Sequence, residues 1–353
     1  MTTPPVPTTR QRGRIGLVTL SQVIFIEAVL AALLFIPVLT PIWIGGIMAG
    51  VLLVTFGFHR RQLWMVQLTR LVRMHRRRRL DRAERELEPG PTLHMDTISE
   101  RGTNLGVAFD GTGWFAGLGI GTDAPPHAIF AVLSDLLRYN GNPLTSVQLV
   151  THSVAASTPP RKSSWFLVRL DVRQAPDVAA DRGGGVIGVH RALAGTVGRL
   201  VKGASRIGVV MHPLDAEDLD NALRFSLDGG EPTEDPITER WGAWQHGELE
   251  QATFAWHGRP RDAETAENFW EGTMALPADF CAFSIALRPA SNRPNENRQM
   301  VSCLIRLASD PESIGNISAK LTRLARKHHV RLRRCDGVQG PAAYASAASG
   351  GLW

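Results

Sequence analysis

The feature that most constrains this chain is an apolar stretch near its start, residues 15–39. It is 25 residues long, and Glu27 is its single ionisable side chain. A helix needs about 20 apolar residues to cross the hydrocarbon layer of a bilayer. After a break marked by Pro37 and Pro41, residues 42–58 form a second stretch of 17 residues without Asp, Glu, Lys or Arg, near the lower limit for a span. The pattern predicts a transmembrane helical hairpin over residues 15–58.

Basic side chains flank both ends of the predicted hairpin. Arg10, Arg12 and Arg14 precede it, Arg60 and Arg61 follow it, and the connection between the two stretches carries no charge. The positive-inside bias therefore places both ends in the cytoplasm, with residues 1–14 as a cytoplasmic tail. A cleaved signal peptide is the alternative, and it is disfavoured because the first run is long and a second follows at once.

Several side chains of the hairpin have predicted roles within the membrane. Gly46 and Gly50 form a Gly-x-x-x-Gly strip, which lets another helix approach closely. A carboxylate near the middle of a span costs at least about 2.5 kcal/mol, so Glu27 is expected to contact a partner helix. Trp43 and Trp64 bracket the second stretch, where interfacial aromatic belts lie.

Residues 59–89 are predicted to form a basic juxtamembrane helix. Up to Pro89 the chain contains 13 Arg, no Lys and five acidic residues, whereas the remainder has slightly more acids than bases. Beside a bilayer, each cation contributes up to about 1 kcal/mol of attraction to anionic lipids. We expect that contact from six arginines, and we expect no nucleic-acid partner because the basic run directly abuts a span. The six are Arg60, Arg61, Arg76, Arg77, Arg78 and Arg79.

Residues 90–336 are predicted to form a cytoplasmic α/β domain. Hairpin patterns, one of them around Asp110 and Gly111, alternate with strand-helix-strand patterns, which favours a mixed sheet. Residues 337–353 are rich in small side chains and are predicted to be a flexible tail. The three cysteines lack the spacing of a zinc site or a disulfide framework, so reduced thiols are expected.

The search for catalytic chemistry in this domain finds only weak patterns. Asp218 and Asp220 form an Asp-x-Asp pair, but they lie in a predicted helix, where residues two apart point away from each other. The sequence therefore predicts no catalytic residue, no cofactor and no metal site. A membrane-anchored transferase of glycosyltransferase type is the alternative that these aspartates leave open. Trp241 and Trp244 are a candidate protein interface, because tryptophan is favoured at interface anchors.

Two short stretches stand out within this organisation: 239–244, with the sequence ERWGAW, and 336–346, with the sequence DGVQGPAAYAS. Together with the two apolar stretches and the arginine-rich segment, they resemble the EccE family of actinobacterial type VII (ESX) secretion systems. The resemblance implies a non-catalytic, multi-pass subunit of an inner-membrane secretion complex. It further implies assembly with EccB, EccC and EccD, EccD most directly, with export driven by the EccC ATPase.

Overall fold

The computed structural model describes twelve segments: residues 14–15, 18–19, 58–59, 62–63, 85–87, 93–100, 103–121, 144–155, 161–228, 237–257, 262–289 and 299–351. Contacts divide the chain into two compact units. One is Thr9–Arg82, and the other comprises Met1–Thr8 with Ala83–Trp353.

The described part of Thr9–Arg82 consists of two short antiparallel pairs. Strand β1 (Arg14–Ile15) pairs with β2 (Val18–Thr19), and β3 (Phe58–His59) pairs with β4 (Gln62–Leu63). These pairs lie where the sequence predicts the first span and the juxtamembrane helix to begin. Apolarity predicts burial, but it does not decide whether helix or strand pairing satisfies the backbone.

The fold class predicted from the sequence, a two-helix hairpin plus a mixed α/β domain, is therefore wrong. Within the described residues, none of the helices combines the length and the apolarity that crossing a bilayer requires. The residues assigned to membrane packing and to the membrane interface lie outside the described part of the chain. They are Glu27, Gly46, Gly50, Trp43, Trp64, Arg60, Arg61, Arg76, Arg77, Arg78 and Arg79.

The larger unit contains most of the regular structure. Its strands are β5 (Arg85–Leu87), β6 (His94–Glu100), β7 (Thr103–Phe109), β8 (Gly113–Ile120), β9 (Ser146–Val154), β10 (Arg161–Asp171), β11 (Met211–Pro213), β12 (Ile237–Glu239), β13 (Trp244–His246), β14 (Leu249–His257), β15 (Phe280–Pro289), β16 (Gln299–Ser309) and β17 (Arg331–Arg334). Its described helices are α1 (Ala175–Ala180), α2 (Gly185–Arg206), α3 (Ala216–Asp228), α4 (Ala263–Met274), α5 (Ile314–Lys327) and α6 (Gln339–Ser346).

These 13 strands form one sheet, ordered β5-β12-β13-β14-β16-β15-β9-β10-β8-β7-β6, with β11 also on β8 and β17 also on β14. Every strand pairing described in it is antiparallel. The predicted mixed sheet is corrected for a topological reason. Strands that follow one another along the chain form antiparallel hairpins, such as β7–β8 and β15–β16. The single strands between helices, β11 and β17, also pair antiparallel, with β8 and β14.

The helices cover both faces of this sheet. On one face, α1 and α2 pack on strands of the β6 side, and α4 and α5 pack on strands of the β12 side. On the opposite face, α3 packs on the β6 side and α6 on the β12 side. Adjacent residues of β16 face opposite sides of the sheet. Leu304 packs with the hydrophobic residues around α6, and Ile305 packs with those around α5.

The C-terminal stretch differs from the flexible tail that the sequence predicts over 337–353. Residues 339–346 form α6. Three of its alanines are at most 2% exposed: Ala342, Ala343 and Ala345. Small side chains are the reason, because they allow the helix to lie close against the sheet. Beyond α6, Ser349 is 1% exposed.

Candidate interaction site at residues 239–244 and 336–346

The two stretches that carry the family resemblance are neighbours in space. The turn between β12 and β13 holds residues 240–243, and residues 336–338 lead from β17 into α6. The Gly337 N–H donates a 2.6 Å hydrogen bond to the carbonyl of Trp241. The Gly340 N–H donates to a Glu239 carboxylate oxygen at 2.9 Å. Segments almost 100 residues apart therefore form one structural unit.

Gly337 is required by this contact for two reasons. Its φ of +73° lies in the left-handed region, which side chains disfavour. A Cβ at this position would lie only 2.3 Å from Cζ3 of Trp241, so the indole lies directly on the glycine backbone. Trp241 is partly exposed, whereas Trp244 is 6% exposed and lies near the His246 ring, with centroids 5.7 Å apart.

Charged side chains surround the turn at the surface. Nε of Arg334 donates to the carbonyl of Gly242 at 2.8 Å and lies 3.5 Å from an Asp336 carboxylate oxygen. A guanidinium nitrogen of Arg240 lies 3.7 Å from a carboxylate oxygen of Glu250. Exposed ion pairs of this kind contribute only about 0–1 kcal/mol each. Their main effect is to present two arginines beside Trp241.

Gln339, the first residue of α6, anchors the same unit to the sheet. It is fully buried, and its Oε1 accepts a 2.8 Å hydrogen bond from the backbone N–H of Thr253 in β14. Burying a polar group is tolerable when it is paired in this way. The turn at 240–243 therefore has a rigid support.

A second polar cluster, the Arg169 cluster, lies inside the domain and was not predicted from the sequence. Arg169 in β10 is 2% exposed, and its Nη2 lies 2.8 Å from the Asp110 carboxylate. The Tyr344 hydroxyl donates to the same carboxylate at 3.0 Å, and the Thr112 and Gly113 N–H groups donate at 2.9 and 3.0 Å. Burial raises the pKa of Asp110, but the Arg169 charge and these hydrogen bonds outweigh it, so the pKa is lowered overall.

The pKa of Tyr344 is shifted in the direction that keeps it a hydrogen-bond donor. Burial and then the neighbouring Asp110 charge raise the pKa of this phenol far above its usual range. The hydroxyl consequently stays protonated and α6 stays tied to the carboxylate at the β7–β8 turn.

A third polar cluster, the Arg306 cluster, is centred on Arg306 in β16. Arg306 is fully buried, and its Nη1 donates to the carbonyl of Leu227 at 2.8 Å and to Oε1 of Gln251 at 2.5 Å. Its Nη2 donates to the carbonyl of Ser226. His152 of β9 lies nearby, and burial, with the Arg306 charge, lowers its pKa to about 3. That imidazole is therefore neutral at physiological pH.

The buried arginines have a sequence signal that composition alone does not reveal. Each is a single cation within a short apolar run of its strand, in the matching stretches Leu-Val-Arg-Leu (167–170) and Leu-Ile-Arg-Leu (304–307). Arginine is almost never fully buried unless paired, so a cation on a strand that apolar neighbours predict to be buried indicates a partner. The partners could not be named, because they lie 55 to 180 residues away.

The aspartates considered for metal binding do not converge on one point. Asp220 accepts a 2.7 Å hydrogen bond from Arg224 one turn along α3, while the Asp218 N–H donates to Asp215 at 2.9 Å. Across the described segments, no group of three or more His, Cys, Asp or Glu side chains could hold a metal ion. This geometry gives the transferase alternative no support.

Comparison with known families points to a type VII secretion system. Residues 158–256 match the family model described as "Putative type VII ESX secretion system translocon, EccE". No curated protein sequence matches the chain. The matched segment begins just before β10, the strand that contains Arg169, and it includes the turn that contains Trp241. The resemblance drawn from the sequence is thereby confirmed, since residues 158–256 of the chain are similar to the EccE family of type VII (ESX) secretion components.

Proposed function

We propose that this chain is a non-catalytic structural subunit of the type VII secretion complex, which packs its larger unit on neighbouring subunits. The family match over residues 158–256 is the observation that carries the proposal. We propose EccD as the most direct neighbour, with EccB and EccC as further members of the assembly. The subunit supplies binding surfaces, and the ATPase component supplies the energy for export.

The turn at 240–243 is the part of this surface that we assign to a partner. Interfaces are enriched in Trp and Arg, and their strongest anchors sit on rigid supports. Trp241 is partly exposed, Arg240 and Arg334 flank it, and the hydrogen bond from Gly337 fixes its backbone. Trp244 supports the turn from below, since it is buried.

We further propose that the complex holds this unit at the cytoplasmic face of the inner membrane, where anionic lipids attract the arginine-rich segment 59–89. The thiols of the larger unit support a reducing compartment. All three are free and buried, and burial raises the pKa of each. They are Cys281, Cys303 and Cys335.

Copurification of the full chain tests subunit membership. The tagged chain is coexpressed with EccB, EccC and EccD, solubilised in detergent and sized on a native gel. We expect a large complex that contains EccD. A chain that migrates alone and recovers no other component refutes the proposal.

A pair of tryptophan variants tests the assigned turn. Trp241→Ala removes the exposed anchor, whereas Trp270→Ala truncates another partly exposed tryptophan, on α4. Interface anchors contribute about 2 kcal/mol or more, equivalent to roughly 30-fold in affinity. We expect Trp241→Ala to reduce EccD recovery to that extent and Trp270→Ala to leave it unchanged. Equal recovery with both variants, at equal melting temperatures, refutes the turn as the interface.

A further inference from the structure

Apart from β5 at one edge, the strand order of the large sheet is the same when it is followed outward from its centre in either direction. The central pair is β9 and β15, which run antiparallel. Outward from β9 come β10, β8, β7 and β6, and outward from β15 come β16, β14, β13 and β12. The additional strands match too, since β11 pairs with β8 and β17 pairs with β14.

The order of elements along the chain repeats in the same way. In the first half, residues 94–228, the hairpins β7–β8 and β9–β10 are followed by a long helix, strand β11 and helix α3. In the second half, residues 237–351, the hairpins β13–β14 and β15–β16 are followed by helix α5, strand β17 and helix α6. Residues 167–170 and 304–307 lie on the matching strands β10 and β16, so Arg169 and Arg306 occupy corresponding positions.

Each of these arginines binds backbone carbonyls of the opposite half, at the end of its last helix for Arg306 and just beyond that helix for Arg169. Arg306, in the second half, donates to the carbonyls of Ser226 and Leu227 at the end of α3, in the first half. Arg169, in the first half, donates at 2.9 Å to the carbonyl of Ser349, just beyond α6 of the second half. The two ends also contact each other, because the Ala348 N–H donates to the Ser226 hydroxyl at 2.9 Å.

We propose that the domain arose as a duplicated unit whose two halves hold each other through these reciprocal contacts. We name residues 347–351 the C-terminal strap. The strap contacts the first half, where Arg169 donates a hydrogen bond to its backbone. The strap also covers the central strand β9. Ser146 donates to the carbonyl of Gly350 at 2.8 Å, and Gln148 donates to the carbonyl of Ala347 at 3.0 Å.

Electrostatics explains why an arginine occupies each position. The last carbonyls of α3 lack partners within the helix and carry partial negative charge, which the Arg306 guanidinium stabilises. The Ser349 carbonyl lies beyond α6, and Arg169 supplies the donor that this buried acceptor requires. In a buried site neither the guanidinium nor the carbonyls can turn to water, so each is costly without the other. Arg169 also pairs with Asp110, and Arg306 also contacts Gln251, which fixes the orientation of each guanidinium.

Hydrogen exchange of the full chain, read by mass spectrometry, tests the reciprocal contacts with two variants that control for each other. We expect Arg169→Met to accelerate exchange in residues 339–351 by at least about tenfold, with little change in residues 216–228. Arg306→Met is expected to do the reverse. Acceleration of the same segments by both variants, or of neither segment, overturns the proposal.

A glycine pair tests the strap without leaving a buried charge unpaired. Gly350 has φ +85°, and a Cβ there would lie 2.9 Å from Cβ of Arg169. Gly208 has a similar φ of +77°, but a Cβ there meets nothing within 4 Å. Alanine at either position introduces comparable backbone strain, so only Gly350→Ala should accelerate exchange in residues 339–351. The same exchange in that segment for both alanine variants refutes the strap.

Discussion

The Asp110–Arg169 pair allows a quantitative prediction, because both side chains are within 3% of full burial. Asp110→Ala removes the 2.8 Å contact to Arg169 and the 3.0 Å hydrogen bond from Tyr344, and it leaves the guanidinium charge buried. Removing one partner of a buried ion pair costs about 3–5 kcal/mol of unfolding free energy. For a unit of this size, that loss lowers the melting temperature by roughly 10 °C.

The double variant Asp110→Ala/Arg169→Met separates charge burial from simple loss of contacts. Removing both charges eliminates the unpaired guanidinium, so the double variant is expected to be more stable than Asp110→Ala alone. Urea unfolding of the full chain at neutral pH, followed by tryptophan fluorescence, measures all the free energies. Two outcomes refute the reasoning: an Asp110→Ala loss below about 1 kcal/mol, or a double variant no more stable than that single one.

The pH dependence of the same variants supplies an independent check. The pKa of Asp110 is lowered in the folded chain, because the Arg169 charge and hydrogen bonds outweigh the effect of burial. Its contribution to stability is therefore complete above the unfolded pKa of about 3.9 and is lost as the pH falls through the folded value. We expect the stability difference between wild type and Asp110→Ala to shrink below about pH 4. A constant difference across that range contradicts this assignment.

Three further predictions concern other residues of the larger unit. His152 has a folded pKa of about 3, so the chain takes up a proton at this side chain when it unfolds below about pH 6.5. This uptake makes the unfolding free energy fall with decreasing pH. The variant His152→Gln should reduce that slope by up to about 1.4 kcal/mol per pH unit. In α2, Gly198→Ala enters open space and should raise the unfolding free energy by about 0.5–1 kcal/mol. Gly188→Ala should lower it, because its Cβ would lie 2.5 Å from the Ala179 carbonyl oxygen; the same sign for both alanine variants in urea unfolding contradicts the packing. The buried thiols should react with a disulfide reagent only after denaturation, and rapid labelling of the native chain contradicts their burial. These are Cys281, Cys303 and Cys335.

Local patterns in the sequence predicted the individual elements of the larger unit well. The hairpin around Asp110 and Gly111 is present as β7 and β8, and helices such as α2 and α3 lie between strands, as the strand-helix-strand patterns predicted. Turn residues and helical periodicity act over a few residues, so one sequence is sufficient to recognise them. The direction of strand pairing was wrong, because it depends on which distant strands meet.

The candidate site was predicted only in its surface part. ERWGAW and DGVQGPAAYAS were recognised separately, but nothing local indicates that Gly337 lies under Trp241. The two buried arginines were missed because charge usually indicates exposure, and their partners are distant in sequence. The apparently flexible end was misjudged for a related reason, since small residues are typical both of loose tails and of helices that pack closely.

The central position of the β9–β15 pair has a consequence for folding during synthesis. Gln148 contacts Ser284, 136 residues later, and Arg169 contacts Ser349, 180 residues later. At about 5–20 residues per second, a ribosome needs roughly 10–35 s to synthesise the chain between Arg169 and Ser349. Until β15 is synthesised, the first half has an uncovered sheet edge at β9, and until Ser349 is synthesised, Arg169 lacks one of its carbonyl partners. Exposed strand edges favour aggregation, so the nascent first half is the stage at which a chaperone would have most effect.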